Sequence, residues 1–233
     1  MNLLSEDEDA FQAALIEAVR SGASGERELL AALGSVQDED QAAGIVSALG
    51  EAQGPGGVAA LREIIAEPDD PLEVRTTAVV ALTKRQGVEA TDVLRACLND
   101  RDRHMLGYAL KGLASVGDDR AWSDVLEWLR QYLDEQPPNP EHDLEDRVLV
   151  AQSRAVPAAA YLARHSASDW ERQRPVVALL RSRWNRLRGA EQRWLTAHWP
   201  ASDPALPESF TQLDATWFAD WVSRPLYKAL YLN

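Results

Sequence analysis

Leucines that recur at intervals of 31 to 33 residues constrain this chain more than any other feature of its sequence. They form two series, Leu61, Leu94 and Leu126 in one and Leu49, Leu82 and Leu113 in the other. Two apolar series in each interval predict two helices per repeat, and a single helix pair cannot bury its apolar face without neighbours. The repeat therefore predicts an all-α fold, an α-solenoid of antiparallel helix pairs.

Apolar residues follow helical spacing through these repeats, whereas β-branched alternation is rare. The predicted helices cover residues 7–21, 26–34, 38–52, 56–66, 71–86, 89–98, 102–116 and 119–134. After a proline-rich run, the predicted helices are 140–164 with a kink at Pro157, a segment from Pro175 that carries Trp184, 192–199 and 208–223.

Composition divides the chain into three parts. Residues 1–136 are predicted to form the solenoid, residues 137–147 a proline-rich and acidic connector, and residues 148–233 a divergent, tryptophan-rich helical region stacked on the solenoid. Residues 1–150 carry a net charge of −17 and residues 151–233 one of +4, which indicates two surfaces with different roles.

Two segments resemble a known repeat. The run from Asp70 to Leu82 is similar to the first helix of a bacterial HEAT-like repeat, and the run from Gly117 to Leu129 is similar to the start of a second helix. The resemblance covers about residues 38–134. It implies a right-handed superhelix of antiparallel helix pairs, and in this family such a superhelix usually serves as a binding scaffold.

Other features favour a cytoplasmic protein. The one cysteine excludes an internal disulfide and suits a reducing compartment. No apolar run reaches the ~18 residues that a membrane span requires. The acidic segment 1–9 lacks the basic and apolar regions of a signal peptide. We expect a cytoplasmic protein that does not bind membranes.

Candidate catalytic and metal residues do not follow the patterns that such chemistry needs. The four histidines lack metal-ligand spacing, and Cys97 lies among apolar residues as a buried structural cysteine does. The glycine cluster at 54–57 lacks the residues of a phosphate-binding loop and is predicted to be a turn. His165 and Asp169 are predicted to flank a helix boundary rather than to form a catalytic pair. We expect no catalysis, no metal and no organic cofactor.

The second helices of stacked pairs line the concave side of a solenoid, where their outward residues form a candidate binding surface. With Leu126 in the core, Trp128 is outside the apolar stripe of its helix. The predicted protein-binding residues are Asp92, Arg95, Asn99, Asp124, Glu127, Trp128 and Gln131. An exposed aromatic residue among acids is typical of an interface anchor; the alternative is that the C-terminal region covers Trp128.

These features predict a non-catalytic scaffold whose acidic concave face, within residues 56–134, holds a basic protein or peptide. One version is an immunity- or antitoxin-type inhibitor that masks a basic nuclease.

An alternative function is located in the Arg- and Trp-rich segment 170–194. Arg181, Arg183, Arg186 and Arg188 are predicted to lie on exposed faces of one helix. There they would bind nucleic acid, either in a simple binding protein or in a HEAT-like DNA glycosylase-type enzyme. We favour pairing of these arginines with the protein's own acids, because a nucleic-acid groove would cross the acidic repeats.

Overall fold

The computed structural model describes residues 2–140, 143 and 149–208; at residues 150 and 151 it describes the backbone only. Over these ranges the chain is helical and contains no β-strand, which confirms the predicted all-α class. It forms two compact units that divide between Val93 and Leu94. The three-part division predicted from composition stays a prediction.

The first unit is built from consecutive helices joined by two to five residues. They are α1 Glu8–Arg20, α2 Ala23–Leu33, α3 Glu39–Glu51, α4 Gly57–Ala66 and α5 Leu72–Gln86. Connections this short return each helix antiparallel to the one before it. A 3₁₀ turn at Gly87–Ala90 leads into α6, Thr91–Ala96, which contains the division between the units.

The helices of the second unit are α7 Arg103–Val116, α8 Trp122–Glu135, α9 Leu149–Gln152, α10 Ala155–Arg164, α11 Trp170–Ser182 and α12 Gly189–His198. Its 3₁₀ turns are Cys97–Asn99, Asp119–Ala121, Trp184–Arg186 and Pro200–Ser202. From α1 to α8, every helix boundary lies within three residues of its predicted position.

The core of the first unit forms where α5 packs against α3 and α4. Leu49, Leu61 and Leu82 of the repeat are fully buried there. Helices α1 and α2 approach closely at Gly25, where a Cβ atom would lie 2.6 Å from the backbone carbonyl carbon of Ala18. This crossing therefore requires a residue without a side chain.

A buried ion pair joins α2 to α5. Arg85 pairs with Glu26, whose side chain is 1% exposed, and also donates hydrogen bonds to the carbonyl oxygens of Leu49, at 2.6 Å, and of Gly54. Burial raises the pKa of Glu26, but Arg85 and the N–H group of Gly56 outweigh burial, so the pKa is lower than usual. The carboxylate is therefore ionised, and its two oxygens are bonded to Arg85 and to the N–H group of Gly56.

The glycine cluster 54–57 forms the predicted bend, between α3 and α4. The ion pair explains why glycine occupies these positions. A Cβ atom on Gly54 or on Gly57 would lie 2.7 Å from a carboxylate atom of Glu26. The glycines let the backbone wrap around a buried anion of the protein itself.

Helix α10 is the centre of the second unit. It packs against α7, α8, α11 and α12, and every residue from Ala155 to Ala163 is buried. Five of these nine residues are alanine, so the neighbouring helices approach its backbone closely. Among the tryptophans of this region, Trp194 and Trp199 are buried, whereas Trp170 and Trp184 are half-buried.

The kinked helix predicted for 140–164 is wrong in its described part. The chain leaves the helix at Ser153 and Arg154, and Ser153 Oγ accepts a hydrogen bond from the N–H of Val156 at 3.1 Å. Pro157 then lies in the first turn of α10, where its missing N–H removes no helical hydrogen bond. The break therefore lies upstream of the proline, at Ser153 and Arg154.

The helix predicted to carry Trp184 is also wrong. Helix α11 ends at Ser182, and Trp184 begins a 3₁₀ turn. Pro175 lies inside α11 rather than near its start. The predicted helix at 208–223 and the predicted connector, apart from its first residues and residue 143, lie outside the described residues.

Gly25→Ala is expected to lower the free energy of unfolding by about 2 kcal/mol, because the new methyl group forces α1 and α2 apart. Gly34→Ala is the matched control: the nearest atom to its Cβ would be 3.7 Å away, and its φ of −71° suits alanine. Urea unfolding followed by circular dichroism measures both variants. Equal stability would contradict the close approach at Gly25.

Glu26→Gln is expected to cost about 3 kcal/mol at pH 7, because it leaves the buried charge of Arg85 without its anion. The folded-state pKa of Glu26 is below its ordinary value of 4.5, so its stabilisation is present above that pH and is lost as the pH falls through the folded-state pKa. The difference between wild type and variant should vanish in acid. The exposed Glu28→Gln serves as the control, and a loss as large there would contradict the assignment.

Candidate functional site

The candidate surface belongs to α8. The buried stripe of this helix consists of Val125, Leu129 and Leu133. Leu126 is only half-buried, so the predicted repeat register is wrong by one residue in α8. Val125 with Leu129 is the equivalent of the buried pair Leu94 and Leu98 in the preceding repeat. Asp124, Glu127 and Gln131 lie on the side of the helix away from the stripe, whereas Trp128 lies at the flank of the stripe and is half-buried.

Trp128 and Tyr132 form a stacked aromatic pair along this face. Their ring centroids are 5.0 Å apart and their planes are inclined by 17°. Both rings are half-buried, so Trp128 is neither fully exposed nor fully covered. The two residues are four apart and therefore one helical turn apart on α8.

Two ionic contacts involve other residues of the same helix. Arg95 Nε lies 2.7 Å from Asp124 Oδ2, and Glu127 pairs with Arg130 and accepts a hydrogen bond from Gln131 Nε2 at 2.9 Å. The side chains of Asp124 and Glu127 are 40% and 52% exposed. The structure thus brings together Arg95 with Asp124 and Glu127 with Gln131.

The remaining predicted residues are exposed but lie elsewhere along the chain. Asp92 belongs to the first unit, in α6, and Asn99 ends the 3₁₀ turn that follows α6. The surface described for the second unit therefore does not include Asp92.

The four arginines of the alternative surface do not share a helix, so their predicted faces are wrong. Arg181 lies in the last turn of α11, Arg183 follows its end, Arg186 ends a 3₁₀ turn and Arg188 precedes α12. A 3₁₀ turn and non-helical residues separate α11 from α12, so the chain does not continue as one helix.

Three of these guanidinium groups contact the unit's own atoms. Arg181 donates a hydrogen bond to the carbonyl of Asp203 at 2.7 Å, and Arg186 donates one to the carbonyl of Asp134 at 2.8 Å. Arg183 Nε lies 2.6 Å from Asp134 Oδ1 and lowers the pKa of that carboxyl group.

His165 pairs with Asp119 and not with Asp169. Its Nδ1 lies 2.8 Å from Asp119 Oδ1, while Asp169 accepts a hydrogen bond from the N–H of Arg172 and caps α11, in accord with the predicted boundary. Burial and the charge of Arg164 lower the pKa of His165, so the ring is neutral at pH 7. Its Nε2 lies 2.9 Å from Arg164 Nη2 and 2.9 Å from the carbonyl oxygen of Gly117.

Sequence reasoning missed three arginines whose charges act on Tyr132. Burial raises the pKa of Tyr132 and Glu191 raises it further, whereas Arg188, Arg154 and Arg103 lower it. The three arginines precede or begin α12, α10 and α7. A cation at a helix N-terminus opposes the helix dipole, and this is the sequence signal that would have revealed them.

Lys111 is a further buried cation in this unit. It is 6% exposed on α7, and its Nζ lies 4.7 Å from the centre of the Tyr108 ring. Burial, followed by the charge of Arg154, lowers the pKa of Lys111 to about 8.

Cys97 is buried, as predicted. Within the described ranges, His, Cys, Asp and Glu side chains form no group of three that could hold a metal ion. None of the described helices has the length and apolar character needed to cross a membrane.

Comparison with known proteins identifies the repeat. Residues 26–106 match the family model for HEAT repeats, which confirms the resemblance. The matched span runs from α2 into α7, so the α8 surface lies beyond it. No curated protein and no solved structure shows significant similarity to the chain.

Lys111→Met is expected to stabilise the protein at pH 7 by about 2–3 kcal/mol, because the charged amine no longer has to be buried. Between pH 8 and 10.5 the unfolded state binds more protons at Lys111 than the folded state does, so wild-type stability rises there relative to the variant. Urea unfolding at several pH values measures the difference. A difference that does not change with pH would contradict the burial of a charged amine.

Proposed function

We propose that this HEAT-repeat protein binds a basic protein or peptide through the α8 face, with Trp128 as the anchor. The observation that carries the proposal is the stacked, half-buried pair of Trp128 and Tyr132 beside two exposed carboxylates. HEAT repeats generally serve as scaffolds for protein interactions, which supports binding as the mode of action. Large aromatic residues fixed at the centre of a polar rim contribute most of the energy of many interfaces.

Charge supports a basic partner. The chain has a net charge of −13, and such a field speeds the approach of cations in a salt-dependent way. On α8 itself, Asp124 and Glu127 are paired with Arg95 and Arg130. These are exposed pairs of the kind that contribute little to stability, so a partner's lysine or arginine displaces them at small cost.

One form of this function is an immunity- or antitoxin-type inhibitor that covers the basic surface of a nuclease. The alternative, nucleic-acid binding through the C-terminal arginines, has less support. Arg181, Arg183 and Arg186 are engaged with carbonyl groups or an acid of their own unit.

Trp128→Ala is expected to weaken partner binding by about 30-fold, the equivalent of about 2 kcal/mol, because it removes the anchor. Trp128→Phe should recover part of the loss. Trp170→Ala, which truncates another half-buried tryptophan of the same unit, is the matched control. The partner is captured from the native host, purified, and titrated by calorimetry at two salt concentrations.

Two results would contradict this function. One is an equal loss of affinity in the Trp128→Ala and Trp170→Ala variants. The other is salt-dependent binding of the wild type to DNA that Arg188→Glu abolishes and Trp128→Ala leaves unchanged, which would place function on the arginines.

A further inference from the structure

The first unit contains an open groove beside the starts of three of its helices. The groove is lined by residues 4–6 with the first turns of α1, by the connection 35–38 with the start of α3, and by Glu73 in the first turn of α5. Its volume is about 840 Å³, within the roughly 300–1,000 Å³ that is usual for ligand sites. The groove is therefore large enough to hold a short peptide segment.

Hydrogen bonds within the first unit hold the walls of the groove. Gln41 Nε2 donates a hydrogen bond to the carbonyl oxygen of Ser5 at 2.8 Å, which ties the N-terminal segment to α3. Asp7 Oδ1 caps α1 by accepting a hydrogen bond from the N–H of Ala10 at 2.8 Å. Asp38 Oδ1 caps α3 in the same way, through the N–H of Gln41 at 2.9 Å. The walls are formed without a ligand, so binding costs little ordering entropy.

The floor of the groove is apolar. Phe11 and Ala43 are buried there. The Phe11 ring lies against the backbone of α3, since a Cβ atom on Gly44 would be 2.9 Å from Phe11 Cε1. Leu4 also lines the groove, and it is 47% exposed. A ligand side chain that covers Leu4 beside this floor removes apolar surface from water, which favours binding.

The polar lining of the groove is acidic. Among the described residues that line it, five are acids and none is basic: Glu6, Glu8, Asp38, Asp40 and Glu73. All five are exposed. Acids near helix starts offset the helix dipole, but each start carries only about half a positive charge, so three starts offset about 1.5 of the five negative charges. The excess of about three negative charges attracts a cationic ligand.

The arrangement of the acids indicates which kind of cation fits. Among the described residues, no three His, Cys, Asp or Glu side chains are close enough together to hold a metal ion. The acids are distributed over three helix starts instead of converging on one point. Such a distribution suits several positive charges spaced along one ligand, and the apolar floor suits an apolar group between them. A nucleic acid is repelled by the same charges.

We propose that this groove binds a basic segment of a partner protein, in which a large apolar side chain lies between lysine or arginine residues. The basic side chains pair with the acids of the three helix starts, and the apolar side chain packs on Leu4 and Phe11. The groove belongs wholly to the first unit, whereas the α8 face belongs to the second. It is therefore a second binding site, and it does not rest on the function proposed for Trp128.

The test titrates the full chain into a fluorescein-labelled KRLRK peptide amide and follows the anisotropy. Unlabelled KRLRK should produce saturable shifts of the backbone amide resonances of Gln12 and Gly44, which line the groove. A KRSRK peptide carries the same charge without the apolar residue. It should bind at least about fivefold more weakly, because its serine cannot cover the apolar floor.

Paired variants separate the groove from the overall charge of the chain. Glu8→Gln with Glu73→Gln should weaken KRLRK binding at least about fivefold, because two acids of the groove are lost. Glu28→Gln with Glu63→Gln removes the same charge at exposed sites outside the groove and should keep affinity within about twofold. Leu4→Ser, also at an exposed site, should abolish the preference for KRLRK over KRSRK.

Three results would overturn the inference. The first is the absence of saturable shifts at Gln12 and Gly44, a measurement that needs no substitution and so stands if a variant fails to fold. The second is an equal loss of affinity in the two paired variants, which would assign binding to the overall charge. The third is binding of spermine as tight as that of KRLRK, which would leave no role for the apolar residue.

Two further variants identify the wrong site or the wrong occupant. Trp128→Ala should leave KRLRK binding unchanged, and a loss there would move the peptide to the α8 face. The chain's own segment 222–233 contains two basic residues, Arg224 and Lys228, among apolar ones. If Arg224→Glu with Lys228→Glu raises the affinity for KRLRK about fivefold or more, the groove is occupied by this segment and not by a partner.

Discussion

Guanidinium groups bonded to the carbonyl ends of helices hold each unit together. An α-helix leaves its last four carbonyls without a partner inside the helix. In the first unit Arg85 reaches the end of α3, and in the second Arg164 donates hydrogen bonds to Ala114 and Ser115 at the end of α7, at 2.8 and 2.9 Å. One planar guanidinium group serves several carbonyls, and its charge opposes the negative end of the helix dipole. Packing between helices is thereby fixed along their axes as well as across them.

This use of arginine accounts for the basic character of the C-terminal part. Arg186 bonds the end of α8, and Arg181 bonds the loop after the 3₁₀ turn at Pro200–Ser202. An arginine whose guanidinium N–H groups donate hydrogen bonds to backbone carbonyls has few donors left for a ligand.

The helices and most of the repeat core could be predicted because they depend on local periodicity. Leu49, Leu61, Leu82, Leu94 and Leu113 are all fully buried, as their spacing requires. Periodicity could not choose between Val125 and Leu126, since adjacent apolar residues differ by one small rotation of α8 that packing against α10 decides. The acidic and aromatic residues of the α8 face were predicted, but the three arginines whose charges act on Tyr132 were not. Arg103 and Arg154 are 51 residues apart and Arg154 and Arg188 are 34 apart, so no local pattern relates them.

The burial of α10 also affects the order in which the second unit can fold. The carbonyls that Arg164 bonds belong to residues 47 to 51 positions earlier. On the ribosome, α7 and α8 are therefore made well before the helix that covers their apolar stripes and bonds their ends. An array of identical repeats gains stability one unit at a time. In the second unit α10 packs against both α7 and α8, so we expect these two helices to gain much of their stability only after α10 has been synthesised.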